Sequence, residues 1–140
     1  MADDDEEDCL LARQALEASG AAATFSCVED GTDLMRYLSE RSASWPRGLP
    51  GLILLDLNMP RKDGREALLE IKAEPALRHI PIVILTTSEE ERDIVFTRKA
   101  GADSFITKPA TFGEWVGIMK SLAGRWLGGD AGPQGGGQDA

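Results

Sequence analysis

A chain of 140 residues with a hydrophobic fraction of 42% has room for one domain and enough apolar material for a core. Its net charge is −9, but six of its 24 acids stand at positions 3–8, and the remaining 18 nearly balance 15 bases. That balance excludes a strongly basic nucleic-acid footprint. No apolar run is long enough to span a membrane and no signal-peptide pattern is present, so the expected compartment is a reducing cytoplasm. The two cysteines, Cys9 and Cys27, lack C-x-x-C spacing and read as reduced, packed thiols.

Leu11, Ala12, Ala15 and Leu16 recur at helical spacing, and Ser19-Gly20 ends this first helix. Residues 23–28, ATFSCV, are short and β-rich and predict a strand. A second helix follows, capped by Asp30 or Thr32, with Leu34, Tyr37 and Leu38 facing inward. Residues 42–50, SASWPRGLP, make a loop punctuated by Pro and Gly. GLILLD is a continuous apolar run into Asp56, and its lack of alternation predicts a strand buried on both faces. A third helix runs from about Gly64 to Glu74, with Ala67, Leu68 and Ile71 inward. PIVILTT predicts another buried strand. SEEERDIVFTRKAG predicts a fourth helix with Ser88 as N-cap, acids in its first turn, bases in its last and Gly101 beyond. DSFIT is a last short strand. Residues 110–127 predict a terminal helix with Phe112, Val116, Met119 and Leu122 on one face. Residues 128–140 are Gly-rich, lack an apolar period and predict a disordered tail, which leaves residues 1–127 as the domain. Helices and strands that alternate in this way predict an α/β, doubly wound parallel sheet with helices on both faces.

Ligands of such sheets bind beyond the carboxyl ends of the strands. Asp56 stands at one such end, Thr86 and Thr87 at the next, and Lys108 with Pro109 at the last. Asp3 and Asp4 precede the first helix. Clustered carboxylates oppose one another's ionisation unless a cation neutralises them. Their hard oxygens suit Mg²⁺, which binds through one or two carboxylates plus a phosphate. One carboxylate can then attack a phosphoryl group and form an acyl phosphate. The metal, Lys108 and Thr86 would each stabilise charge on the phosphoryl oxygens.

Four motifs occur in order at helix–strand spacings: DDDEED, LILLDLNMPRKDG, PIVILTTS and AGADSFITKP. With them the chain resembles the CheY-like receiver domain of two-component response regulators over nearly all of residues 1–127. Its flavour is that of single-domain regulators serving phytochrome-type sensor kinases. The resemblance implies a flavodoxin-like five-stranded sheet of order 2-1-3-4-5 with five flanking helices. It makes Asp56 the phosphoacceptor and Thr86 with Phe105 the switch. Lys108 would contact the phosphoryl oxygens, Lys108-Pro109 would be a cis bond, and the Asn58 backbone carbonyl would face the metal. Asn58 and Ser88 occupy positions that tune phosphate lifetime in the family, and both are small and neutral here.

The family places an acid pair just before its first helix. Choosing Asp3-Asp4 puts Leu11, Ala12, Ala15 and Leu16 inward, whereas Asp4-Asp5 would turn Arg13 and Glu17 inward. The metal set is therefore Asp3, Asp4, Asp56 and the Asn58 carbonyl, with Asp4 the direct ligand and Asp3 acting through water. Asp5 to Asp8 read as acids favoured by the helix dipole. His79 reads as a surface or capping residue. Trp45 and Trp115 read as packing residues, and Trp126 as either packing or contact surface.

The implied function is a phosphorelay switch. A sensor histidine kinase would phosphorylate Asp56 with Mg²⁺, and the surface of the fourth helix, last strand and last helix would change. That surface would bind a partner or a second copy of the chain; neither nucleic acid nor membrane is an expected direct partner. The domain would assist its own phosphotransfer and dephosphorylation without being a turnover enzyme. Two alternatives are a haloacid-dehalogenase-like phosphohydrolase and an unphosphorylated receiver-fold binding module. The first usually carries an acid two residues after its nucleophile, where this chain has Asn58. Intact Asp56, Thr86 and Lys108 weigh against the second.

The resemblance also implies a first strand of about five residues before the acid pair. Only Met1 and Ala2 stand there. Losing three buried side chains would cost about 1.5–3 kcal/mol each. The expected natural start therefore lies upstream, with Met1 internal to a strand. An in-frame stop codon immediately upstream would contradict it.

Overall fold

The computed structural model describes residues 1–43 and 48–127. Trp45 and the expected tail at 128–140 lie outside the described residues. The elements run α1 (Glu6–Ala18), α2 (Gly31–Ser42), β1 (Ile53–Leu55), α3 (Gly64–Ala73), β2 (Ile82–Thr86), α4 (Glu91–Ala100), β3 (Ser104–Thr107) and α5 (Phe112–Trp126). They fall into two compact units. Of the described residues, one holds Met1–Asp4 and those of Cys27–Lys108; the other holds Asp5–Ser26 and residues 109–127.

In the first unit β1, β2 and β3 pair in that order, all parallel. β1 and β2 are buried at every position, as their unbroken apolar runs require. Residues 23–28 do not form the expected strand among the described residues; only Val28 pairs, through a parallel bridge to Ala2. Ala2 bridges Leu55 on its other side. Chain segments therefore lie across the sheet in the order second, first, third, fourth, fifth. Among the described residues the first segment contributes single bridges at Ala2 rather than a ladder, and Val28 is the one residue of 23–28 that it pairs.

The core of this unit sits where α2 and α3 meet the sheet. Leu38, Leu68, Ile71, Leu55, Ile82 and Ile84 are all fully enclosed. Each such side chain contributes about 1.5–3 kcal/mol by burial. Asp30, rather than Thr32, caps α2 by accepting the Asp33 N–H at 2.8 Å. Asp63 and Glu66 close a capping box at the start of α3. Ser88 is not the cap of α4: that position belongs to Glu90, which makes no side-chain cap bond. α4 ends at Gly101, whose φ of 107° places it in the left-handed region as the Gly stop predicts.

In the second unit α1 packs against α5. Asp5 caps α1 by accepting the N–H groups of Glu7 and Asp8, so the acidic run does become a helix start. Ala12, Ala15 and Leu16 are buried as expected, and Cys9 joins them. On α5 the buried face is Trp115, Met119, Leu122 and Ala123, while Phe112 is exposed. Met119 and Leu122 are inward as expected and Val116 is half-buried, so the stripe keeps its face but begins at Trp115. Neither cysteine is a free thiol: Cys9 and Cys27 are disulfide-bonded, which corrects the expectation of reduced thiols.

Candidate functional site

Backbone bonds at Ala2 and Asp3 aim the acids. Ala2 N–H donates to the Leu54 carbonyl at 2.8 Å, and its own carbonyl accepts from Asp56 N–H at 3.0 Å. Asp3 N–H donates to the Val28 carbonyl at 2.9 Å. These bonds hold Asp3 and Asp4 at the sheet edge where β1 delivers Asp56. Asp3 and Asp56 are buried and Asp4 is exposed. One carboxylate oxygen from each lies within 4.8 Å of the other two.

Lys108 follows β3, and its N–H donates to the Thr86 carbonyl at 2.8 Å, which fixes it beside the end of β2. Its ammonium lies 2.8 Å from Asp3 Oδ2 and 3.5 Å from Asp56 Oδ2. Three carboxylates against one ammonium leave a local negative excess. Such an excess, made of hard oxygens only, fits a divalent cation of the Mg²⁺ type. Thr86 is fully buried and Thr87 is exposed. Asn58 is exposed in the loop after Asp56. Phe105 is half-buried against the core and lines a groove of about 360 Å³ with Ile94, Thr97 and Arg98 of α4. His79 is exposed.

The loop that follows Asp56 is anchored by residues whose role local sequence did not signal. Arg61 has φ of +62°, an uncommon conformation for a residue with a side chain. Strain of this kind costs about 1–3 kcal/mol. Its guanidinium is held by the buried Asp30, with Nε donating at 2.8 Å, and Gly31 N–H donates to the Lys62 carbonyl at 2.8 Å. The Asp33 N–H holds the Asp30 carboxyl below its usual range, and Arg61 reinforces this against the opposing effect of burial. A carboxyl depressed by folding contributes stability present above its unfolded value and lost as pH falls through the folded one. The stability gap between this protein and Asp30→Asn should therefore narrow as pH drops below about 4. Urea unfolding at several pH values reads that gap; a gap independent of pH would contradict the assignment.

A second network joins α3, α4 and the loop after Thr86. Arg65 grips the buried Asp93 with two hydrogen bonds, Nε to Oδ1 at 2.9 Å and Nη2 to Oδ2 at 2.8 Å. Ser88 Oγ donates to Asp93 Oδ2 at 2.7 Å, and Ser88 N–H donates to Thr86 Oγ1 at 3.3 Å. The Asp93 carboxyl is held low, first by Arg65 and then by Ser88. Partners 28 residues apart leave no local signal, which is why the sequence did not reveal them.

Residues 1–120 match the response regulator receiver domain. The chain belongs to the response regulator receiver family. It is 33% identical over 127 residues to response regulator Rcp1 of Synechocystis sp., covering 91% of this chain and 86% of that one. A solved structure of the phosphorylated cyanobacterial phytochrome response regulator RcpA superposes with a TM-score of 0.76 at 38% identity, covering 90% of each chain. The Mn²⁺-bound form of Rcp1 gives 0.77 at 34% identity, covering 90% of this chain and 91% of that one. The receiver fold is thus a flavodoxin-like α/β fold with a parallel sheet and five helices, and a divalent ion binds to at least one relative. Similarity of this extent to single-domain regulators leaves the phosphohydrolase and the unphosphorylated module without support. No described helix is long and apolar enough to cross a membrane.

Proposed function

We propose that this receiver is a phosphorylation switch whose acceptor is Asp56 and whose donor is a sensor histidine kinase of the phytochrome type. The supporting observation is the placing of the Lys108 ammonium between Asp3 and Asp56, beside three converging carboxylates. A carboxylate oxygen of Asp56 attacks phosphorus. The bond from phosphorus to the donor's imidazole nitrogen breaks, and that nitrogen keeps the electron pair. Lys108 meets the developing charge on the phosphoryl oxygens, and the Thr86 hydroxyl donates to one of them after transfer. Mg²⁺, held by Asp4, Asp56 and the Asn58 carbonyl with Asp3 through water, would neutralise the carboxylates and the incoming phosphate. Hydrolysis of the acyl phosphate resets the switch, so the chain aids its own chemistry without being a turnover enzyme.

The switched surface lies on α4 and β3. Val95 and Phe96 are exposed on α4, and the groove beside Phe105 lies between that helix and β3. Such a surface suits a partner protein or a second copy of the chain. The receiver domain comprises residues 1–127 in this reading, with 128–140 as a tail. A cytoplasmic location follows from the kinase partner, since the disulfide removes the argument from reduced thiols.

The test uses phosphoramidate and Mg²⁺ followed by intact mass. A phosphoryl adduct is expected on the protein and none on Asp56→Asn. An equal adduct on both would remove Asp56 from the role.

A further inference from the structure

Besides the Asp30–Arg61 anchor, the acceptor, the metal acids and the Lys108 contact leave a second buried polar network unused. It runs from Arg65 on α3, through Asp93 on α4, to Ser88 and the Thr86 hydroxyl. Asp93 is 4% exposed and accepts from three donors, two on Arg65 and one on Ser88. The Thr97 hydroxyl also donates to the Asp93 carbonyl at 2.8 Å, which seats this turn of α4. A bidentate guanidinium–carboxylate pair fixes direction as well as distance. The pair therefore fixes Asp93, Asp93 fixes the Ser88 hydroxyl, and the Ser88 N–H meets the hydroxyl of Thr86. Resting on the switch reading above, we propose that Arg65 and Asp93 are positioning residues: a latch that holds Thr86, through Ser88, in its resting place.

The consequence follows from displacement. When Thr86 moves toward the phosphoryl group, its oxygen leaves the Ser88 N–H, or carries the residue 88 segment with it. Either movement works against the Ser88–Asp93–Arg65 chain. Phosphorylation favours the moved state only by its differential contacts, so whatever stabilises the resting state subtracts from them. Removing the latch makes the moved state easier to reach.

The experiment is a double-mutant cycle on the rate of adduct formation with phosphoramidate and Mg²⁺. Arg65→Gln and Ser88→Ala are each expected to raise the rate about fivefold. The double variant should match either single one, because both cut the same chain. Arg65→Lys keeps the charge without the fork and should fall between wild type and Arg65→Gln. A purely structural pair would lower the melting temperature of Arg65→Gln and leave its rate within twofold of wild type. That result, or single effects that multiply in the double variant, overturns the latch. A second readout needs no phosphorylation: amide hydrogen exchange at Ser88 should be faster in Arg65→Gln than in wild type. Unchanged exchange there overturns the latch by itself. Wild-type adduct formation reports on the switch reading separately, so failure of the one is distinguishable from failure of the other.

Discussion

Gly64→Ala is expected to destabilise the protein by about 3 kcal/mol or more, measured by urea unfolding. A Cβ at residue 64 would sit 2.0 Å from the Asp56 carbonyl oxygen and 2.8 Å from Leu57 Cα. Both are backbone atoms, so no side chain can swing aside to relieve the clash. α3 begins against the segment that carries the acceptor, and Gly64 N–H donates to the Leu57 carbonyl at 3.0 Å. The methyl group must therefore push the helix start away or shift Asp56. The same variant should slow phosphoryl transfer, since a displacement of about 1 Å at a reacting group can cost about a hundredfold. Gly117 in α5 is the contrast. A Cβ there meets nothing within 4 Å, and Gly117→Ala should stabilise by up to about 1 kcal/mol through helix propensity. Equal effects at the two glycines would contradict the tight seat of α3.

Lys108→Ala should lower the rate of adduct formation about a hundredfold or more. The ammonium supplies the positive charge placed between Asp3 and Asp56. Its loss also removes a cation that repels any second cation in the site. Mg²⁺ affinity, read by calorimetry, should therefore stay equal or rise while the rate collapses. That divergence separates loss of charge stabilisation on the phosphoryl group from simple loss of the metal. A rate within tenfold of wild type would contradict the placement of Lys108.

The residues that converge at the sheet edge were legible because each follows a short apolar run. Asp56, Thr86 and Lys108 end or follow β1, β2 and β3, and the amphipathic period of α1 set the register that selects Asp3 and Asp4. What stayed hidden depended on distant partners. Residues 23–28 have strand composition, yet a strand needs a neighbour, and the first segment offers only the bridge at Ala2. Ser88 obeys the local capping rule, and its hydroxyl accepts the Glu90 N–H at 3.4 Å while donating to Asp93, but the helix itself begins only at Glu91. Phe112 has the right period for the α5 face, but it is the first residue of the helix and stands exposed, so the buried stripe begins at Trp115. The disulfide-bonded state of Cys9 and Cys27 could not be read from their spacing, which carries no C-x-x-C signature. Arg61 with Asp30 and Arg65 with Asp93 were invisible because the partners are distant in sequence. Backbone bonds at Ala2 and Asp3 tie the segment that carries the acids to its neighbours on both sides.

The chemical identity of the phosphorylated group can be read directly. Treatment of the phosphorylated protein with borohydride reduces an aspartyl phosphate to homoserine and leaves phosphate esters and phosphoramidates unreduced. Peptide sequencing by mass should find homoserine at position 56 and nowhere else. Homoserine at another aspartate, or phosphate that survives the treatment, would contradict Asp56 as the acceptor.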